Sequence, residues 1–196
     1  MNSHKAIRPR FVGARVVLMS DQPVHTDDGI LPFQRYFVQS RCEPRVSGFT
    51  FHGTGDAHPS LPPWEALISE ELEAVIICSS NPFISIDPIL SVPSLRGAIS
   101  DCGAPVVAAS PIICGNAVKG PTSNMMSELG IPQSARALAE HYDGMLTGFV
   151  LDNADRGAVT DLPCMHTHIL MENQEDKTSL ATEVLRFARE IAVIVR

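Results

Sequence analysis

A short apolar run that breaks into a polar turn constrains this chain most: Ala74 to Ile77, then Cys78, Ser79, Ser80, Asn81 and Pro82. A run that short and apolar throughout reads as a strand buried on both faces, which requires a sheet covered by helices on each side. The turn marks the strand's carboxyl end. In an open α/β sheet that edge takes ligands, because helix starts and free backbone N–H groups converge there. Ser79, Ser80, Asn81 and Ser85 offer short polar groups to a phosphate or a base edge, while Asp87 and Pro88 read as a helix start. Turn and cap duties alone call for the same residue types.

The rest of the chain repeats this alternation. Strands are expected at Phe11 to Met19, Arg45 to His52, Ala74 to Cys78, Pro105 to Ala109, Leu146 to Leu151 and Met165 to Leu170. Helices are expected from about Leu31 to Pro44, then over Trp64 to Leu72, Pro88 to Cys102, Thr122 to Leu129, Ala135 to Tyr142 and Lys177 to Ile194, with Pro93 breaking the third. Gly53 to Pro63 and Ser110 to Pro121 read as loops. The order implies an α/β fold, a mostly parallel sheet with helices on both faces.

Composition narrows the partners. The 196 residues carry a net charge of −7 with lysines and arginines scattered, so no basic stripe offers itself to a nucleic-acid polymer. Five cysteines without a CxxC pair point to a reducing, cytoplasmic setting. The basic start MNSHKAIRPRF lacks the apolar core of a signal peptide. No run approaches the roughly 18 to 20 apolar residues that span a bilayer, so a membrane partner is not expected.

Several long blocks resemble the 2-phospho-L-lactate transferase family of coenzyme F420 biosynthesis. They are LMSDQPVHTDDGILPFQRYFVQSRCEP, then SSNPFISIDPIL with VPSLR, then APVVAASPIICGNAVKGP with MMSELG, and finally HYDGMLTGFVLDNAD. The resemblance implies a Rossmann-like fold and transfer of a phospho-organic acid unit, of 2-phospho-L-lactate or phosphoenolpyruvate type. The donor would be guanosine-diphosphate-activated and the acceptor the ribityl hydroxyl of the deazaflavin Fo, with GMP released, Mg²⁺ as cofactor and a homodimer as the working form. The family opens on a glycine-rich strand, turn and helix, and nothing of that kind precedes Phe11. The N-terminal part of the family fold is therefore expected to be missing and the chain to be weakly active or inactive alone. Residues 1–62 are expected to form a partial N-terminal region with a small α+β insertion on the acceptor side, and residues 63–196 the α/β nucleotide-binding half.

By the same resemblance Ser79, Ser80, Asn81 and Ser85 bind the nucleotide, with Asn81 foremost. Lys119 and Gly120, in the loop after the next strand, suit phosphate or guanine recognition by charge and close backbone approach. His25, Thr26 and Asp27 are placed on the acceptor side, although a helix cap explains them equally. Neither Asp27 nor Asp28 is assigned as a metal ligand, and catalytic residues are left open. Cys164, His166 and His168 alternate along a strand like the start of a zinc site, but a structural role fits better because no fourth ligand is indicated. Met125 and Met126 read as core. Departures from the family cluster near the site: Cys114 and Asn116 replace glycine and lysine, Ser79 replaces proline, His168 and Ile169 replace aspartate and threonine, and the Val24–His25 link is short. A non-catalytic nucleotide or nucleotide-sugar binding regulator, resembling the gluconeogenesis-factor relatives of the same fold, is the alternative from another class. A remnant without ligand is the third.

Overall fold

The computed structural model describes residues 23–118, 120–142, 144–157 and 161–195. The strand expected at Phe11 to Met19 lies outside them. At the centre is a four-stranded sheet of β4 (Val75–Ile77), β5 (Val106–Ala109), β8 (Gly148–Asp152) and β9 (Cys164–Thr167), in the order β4-β5-β8-β9. Every pairing is parallel, in the registers Val75 to Val106, Val107 to Gly148 and Phe149 to Cys164.

Alternation along β5 and β8 sorts side chains into two cores, as a sheet covered on both faces demands. Val106, Ala108, Phe149 and Leu151 meet one set of helices: α2 (Asp87–Leu90), α3 (Pro93–Asp101), α4 (Thr122–Glu128) and α5 (Ala135–His141). Val107, Ala109 and Val150 face α6 (Gln174–Val195), which buries Leu180, Val184, Phe187, Ala188 and Ile191 as one stripe. Gly148 lies under that stripe: a β-carbon there would come within 2.4 Å of Ile191 Cδ1 and 3.0 Å of Phe187 Cε1. The expected layered α/β arrangement is thus present. Pro93 separates α2 from α3, occupying the first turn of the second helix where its missing N–H costs nothing.

The N-terminal lobe differs from expectation. The helix expected from about Leu31 to Pro44 is confined to residues 33–39, because Leu31 belongs to a hairpin of β1 (Pro23–Thr26) and β2 (Gly29–Pro32); β3 (Val46–Phe49), within the strand expected over Arg45 to His52, lies on the other side of β1. Leu31 pairs with Val24. The turn is Asp27–Asp28, closed by Thr26 Oγ1 donating to the Gly29 carbonyl at 2.7 Å, with Gly29 at φ 99°. Aspartate and glycine serve caps and tight turns alike, and strands this short leave no readable alternation. A single π-helical turn, Arg35–Gln39, follows and buries Tyr36.

Other differences are local. The helix α1 (Leu61–Leu67) starts earlier than Trp64, because Pro62 and Pro63 preset its first turn, and it stops at Leu67 rather than Leu72. The stretch from Ser110 to Pro121 is not all loop: β6 (Ile112–Ile113) and β7 (Asn116–Ala117) form a small antiparallel hairpin. Val24, Leu31, Tyr36 and Val46 of the lobe share one core with Phe83, Met125 and Met126. Among the described residues no helix is long and apolar enough to cross a membrane.

Candidate functional site at the carboxyl edge of the sheet

The loops that leave β4, β5 and β8 lie side by side, since these strands are neighbours and parallel. After β4 the chain turns through Ser79 and Ser80 into a π-helical turn, Pro82–Ile86, which contains Ser85. Asn81 stands at its start. The side-chain carbonyl accepts the N–H groups of Phe83 at 3.0 Å and Ile84 at 3.2 Å, and its amide donates to the Met125 sulfur at 3.3 Å. The residue is therefore a cap and a link to α4, and all four polar residues of this turn are half-buried.

After β5, the Ser110 hydroxyl closes on residue 112, donating to its carbonyl at 2.8 Å and accepting its N–H at 3.2 Å. Cys114 follows in the left-handed region at φ 48°, where a β-carbon is unfavourable. Asp155, from the loop after β8, accepts the Cys114 N–H with both carboxylate oxygens, at 3.0 and 3.2 Å. Desolvation raises the Cys114 thiol pKa, and the nearby charges of Asp155 and Asp152 add to the rise. Gly120 is exposed, and Lys119 lies outside the described residues. The chain then enters α4, whose Ser123 hydroxyl donates to the Gly115 carbonyl at 2.8 Å. Met125 and Met126 are fully buried, as expected of core residues.

At the end of β8, Asp152 is buried and spends both oxygens on backbone: Oδ1 accepts Ala154 N–H at 2.9 Å, and Oδ2 accepts Ile169 N–H at 3.2 Å. Sequence reasoning assigned neither Asp152 nor Asp155 a role. An aspartate closing an otherwise apolar strand, in LDNAD, was the available signal.

The acceptor-side trio sits in the small lobe. His25 Nε2 lies 2.6 Å from Thr50 Oγ1, Thr26 closes the hairpin, and Asp27 Oδ1 accepts the Arg45 N–H at 2.8 Å. The lobe joins the site through Glu128, whose carboxylate accepts the Val46 N–H at 2.9 Å. Cys164 and His166 share a strand, but His168 lies past its end, largely exposed and 4.0 Å from Asp152 Oδ2. Among the described residues no three histidines, cysteines or carboxylates converge to hold a metal. Asp27, Asp152 and Asp155 each accept backbone N–H groups.

A parallel sheet sandwiched by helices, with polar turns gathered at its carboxyl edge, defines a Rossmann-like α/β protein. Within that class the chain belongs to the 2-phospho-L-lactate transferase CofD family, whose model matches residues 6–184. It is 36% identical to the 2-phospho-L-lactate transferase of Methanosarcina mazei over 184 residues, 89% of this chain and 59% of that protein. It is 31% identical to the phosphoenolpyruvate transferase of Streptomyces griseus over 193 residues, 91% of this chain and 60% of that one. The chain thus spans about three-fifths of the length of these relatives. A crystal structure of a UPF0052 family member from Bacillus halodurans shares the fold, with a TM-score of 0.50, 14% identity, and coverage of 82% of this chain and 57% of that one.

Proposed function

We propose that this chain takes part in transferring a phospho-organic acid unit from a guanosine-diphosphate-activated donor to the ribityl hydroxyl of a deazaflavin, in coenzyme F420 biosynthesis. The hydroxyl oxygen forms a new bond to the phosphorus of the acid unit. The phosphoanhydride bond to GMP breaks, GMP leaves with the electron pair, and the hydroxyl loses its proton. Such a displacement needs positioning and fixed hydrogen-bond donors more than covalent help from the protein.

The family match over residues 6–184 carries this reading. Geometry supports it: the Ser79 to Ser85 turn and the Ser110 to Gly120 loop leave adjacent parallel strands, and the Asn81–Met125 contact ties the first to the helix that follows the second. In this reading the two turns hold the diphosphate, with Ser79, Ser80, Asn81, Lys119 and Gly120 as its partners, and the lobe carrying His25, Thr26 and Asp27 faces the acceptor. The working form is a homodimer in the cytoplasm, a compartment suited to five cysteines outside disulfides.

Titration calorimetry with GDP and with UDP-sugars tests the donor. Binding selective for GDP supports the reading. Preference for UDP-sugars favours the nucleotide-sugar binding regulator instead, and no heat from either ligand refutes both.

A further inference from the structure

Three parts of the candidate site meet on one short helix. At the start of α4, Ser123 holds the Gly115 carbonyl of the loop after β5. In its middle, Met125 receives the amide of Asn81 from the turn after β4. At its last residue, Glu128 accepts the Val46 N–H of β3. The last contact differs in kind. The first two join loops of one sheet edge, whereas Glu128 bridges that edge to a separate antiparallel sheet.

We propose that Glu128 is a positioning residue that sets the His25–Thr26 strand against the nucleotide-side loops. Val46 pairs with Thr26, at the point where the register of β1 and β3 shifts between His25 and Thr26. A register shift removes regular ladder bonds, so a strand fixed there needs another anchor. The Glu128 carboxylate provides it, and a hydrogen bond to an ionised acceptor is stronger and more directional than a neutral one. On the opposite flank Asp27 takes the Arg45 N–H, so Arg45 and Val46 are gripped from two sides. Tyr36 and Cys42 sit close enough to Glu128 to feel its charge: burial raises both groups first, and Glu128 adds to the rise. The part-buried carboxylate thus lies against the lobe beside Tyr36 and Cys42, and moving it would move the lobe.

The acceptor part of this inference rests on the proposed function, but the positioning part does not, and the experiment separates them. Amide hydrogen exchange is measured on wild type, E128A and E128Q, with GDP calorimetry on the same three proteins. In E128A the amides of β1 and β3 exchange roughly tenfold faster or more, while those of β5 and β8 keep their wild-type rates. E128Q, which keeps an acceptor oxygen, stays within roughly threefold of wild type. GDP affinity is the same in all three. With a deazaflavin acceptor and activated donor, E128A raises KM for the acceptor and leaves KM for the donor unchanged. Equal acceleration in β5 and β8 would show a general stabilising role and overturn the inference, as would unchanged exchange in β1 and β3. If wild type binds no GDP, the donor reading fails while the exchange data still decide the role of Glu128.

Discussion

Both carboxylate oxygens of Asp155 close on the backbone N–H of Cys114, so the loop after β8 holds the loop after β5 at the turn between β6 and β7. The bend needs holding, because Cys114 takes a left-handed conformation that glycine adopts freely and a residue with a β-carbon does not. Replacing Asp155 by alanine removes the acceptor and lets the bend relax. The expected loss in unfolding free energy is about 0.5–1.5 kcal/mol, small because the contact is exposed. If this loop holds the diphosphate, GDP affinity should fall more visibly, by roughly fivefold, since a loosened loop must be reordered on binding. Denaturant titration and calorimetry on D155A check both parts, and unchanged GDP affinity would detach this loop from the nucleotide.

Asn81 has two duties that one substitution can separate. Its carbonyl caps Phe83 and Ile84, and aspartate caps as well as asparagine does. N81D should therefore retain most of the stability that N81A loses, the latter costing about 1 kcal/mol. If the turn also holds a diphosphate, the added negative charge should weaken GDP at least roughly tenfold at low salt, with the deficit shrinking as salt rises. A variant that binds GDP like wild type would leave Asn81 as a cap alone.

The layered sheet was legible because β4, β5 and β8 are short, mostly apolar runs that break into polar residues, a signal that needs no tertiary information. The break at Pro93 was legible for the same reason, as a local rule that nothing distant overrides. The lobe was not. Thr26, Asp27, Asp28 and Gly29 can cap a helix or turn a hairpin, and only pairing of β1 with both β2 and β3 decides between them. The links between parts of the site were equally hidden. Glu128 and Val46 are 82 positions apart, and Asp155 and Cys114 are 41 apart, distances over which no local pattern carries information. Cys114 is the instructive middle case: a cysteine directly before Gly115 is visible in the sequence, but its backbone angle is not.

Gly148 tests how closely α6 is seated on the sheet. An alanine β-carbon would have to displace Ile191 Cδ1 from 2.4 Å and Phe187 Cε1 from 3.0 Å. Both are ends of side chains, but they lie inside a filled core, so their movement strains neighbours such as Val184 and Ala188. G148A is expected to cost about 1–3 kcal/mol in urea unfolding. Pairing it with I191V, which removes the nearest methyl, should recover part of that loss; a double mutant no better than G148A would place the strain elsewhere.

Asp176 gives the stability of α6 a pH signature with a defined sign. Its carboxylate accepts the backbone N–H groups of Glu172 and Asn173, at 2.9 and 3.2 Å, and these bonds lower its pKa from the ordinary value of 3.8. A carboxyl group whose folded pKa lies below its unfolded one stabilises the fold above the unfolded value, and the contribution disappears as pH falls through the folded value. Wild type should therefore melt above D176A at neutral pH, with a difference that is constant down to about pH 5 and then closes as acid protonates the group. The gain is modest because the site is exposed. Thermal melts of both proteins from neutral pH into acid give the comparison, and a gap that persisted after the carboxylate was protonated would mean that Asp176 acts through its shape at the start of α6 rather than its charge.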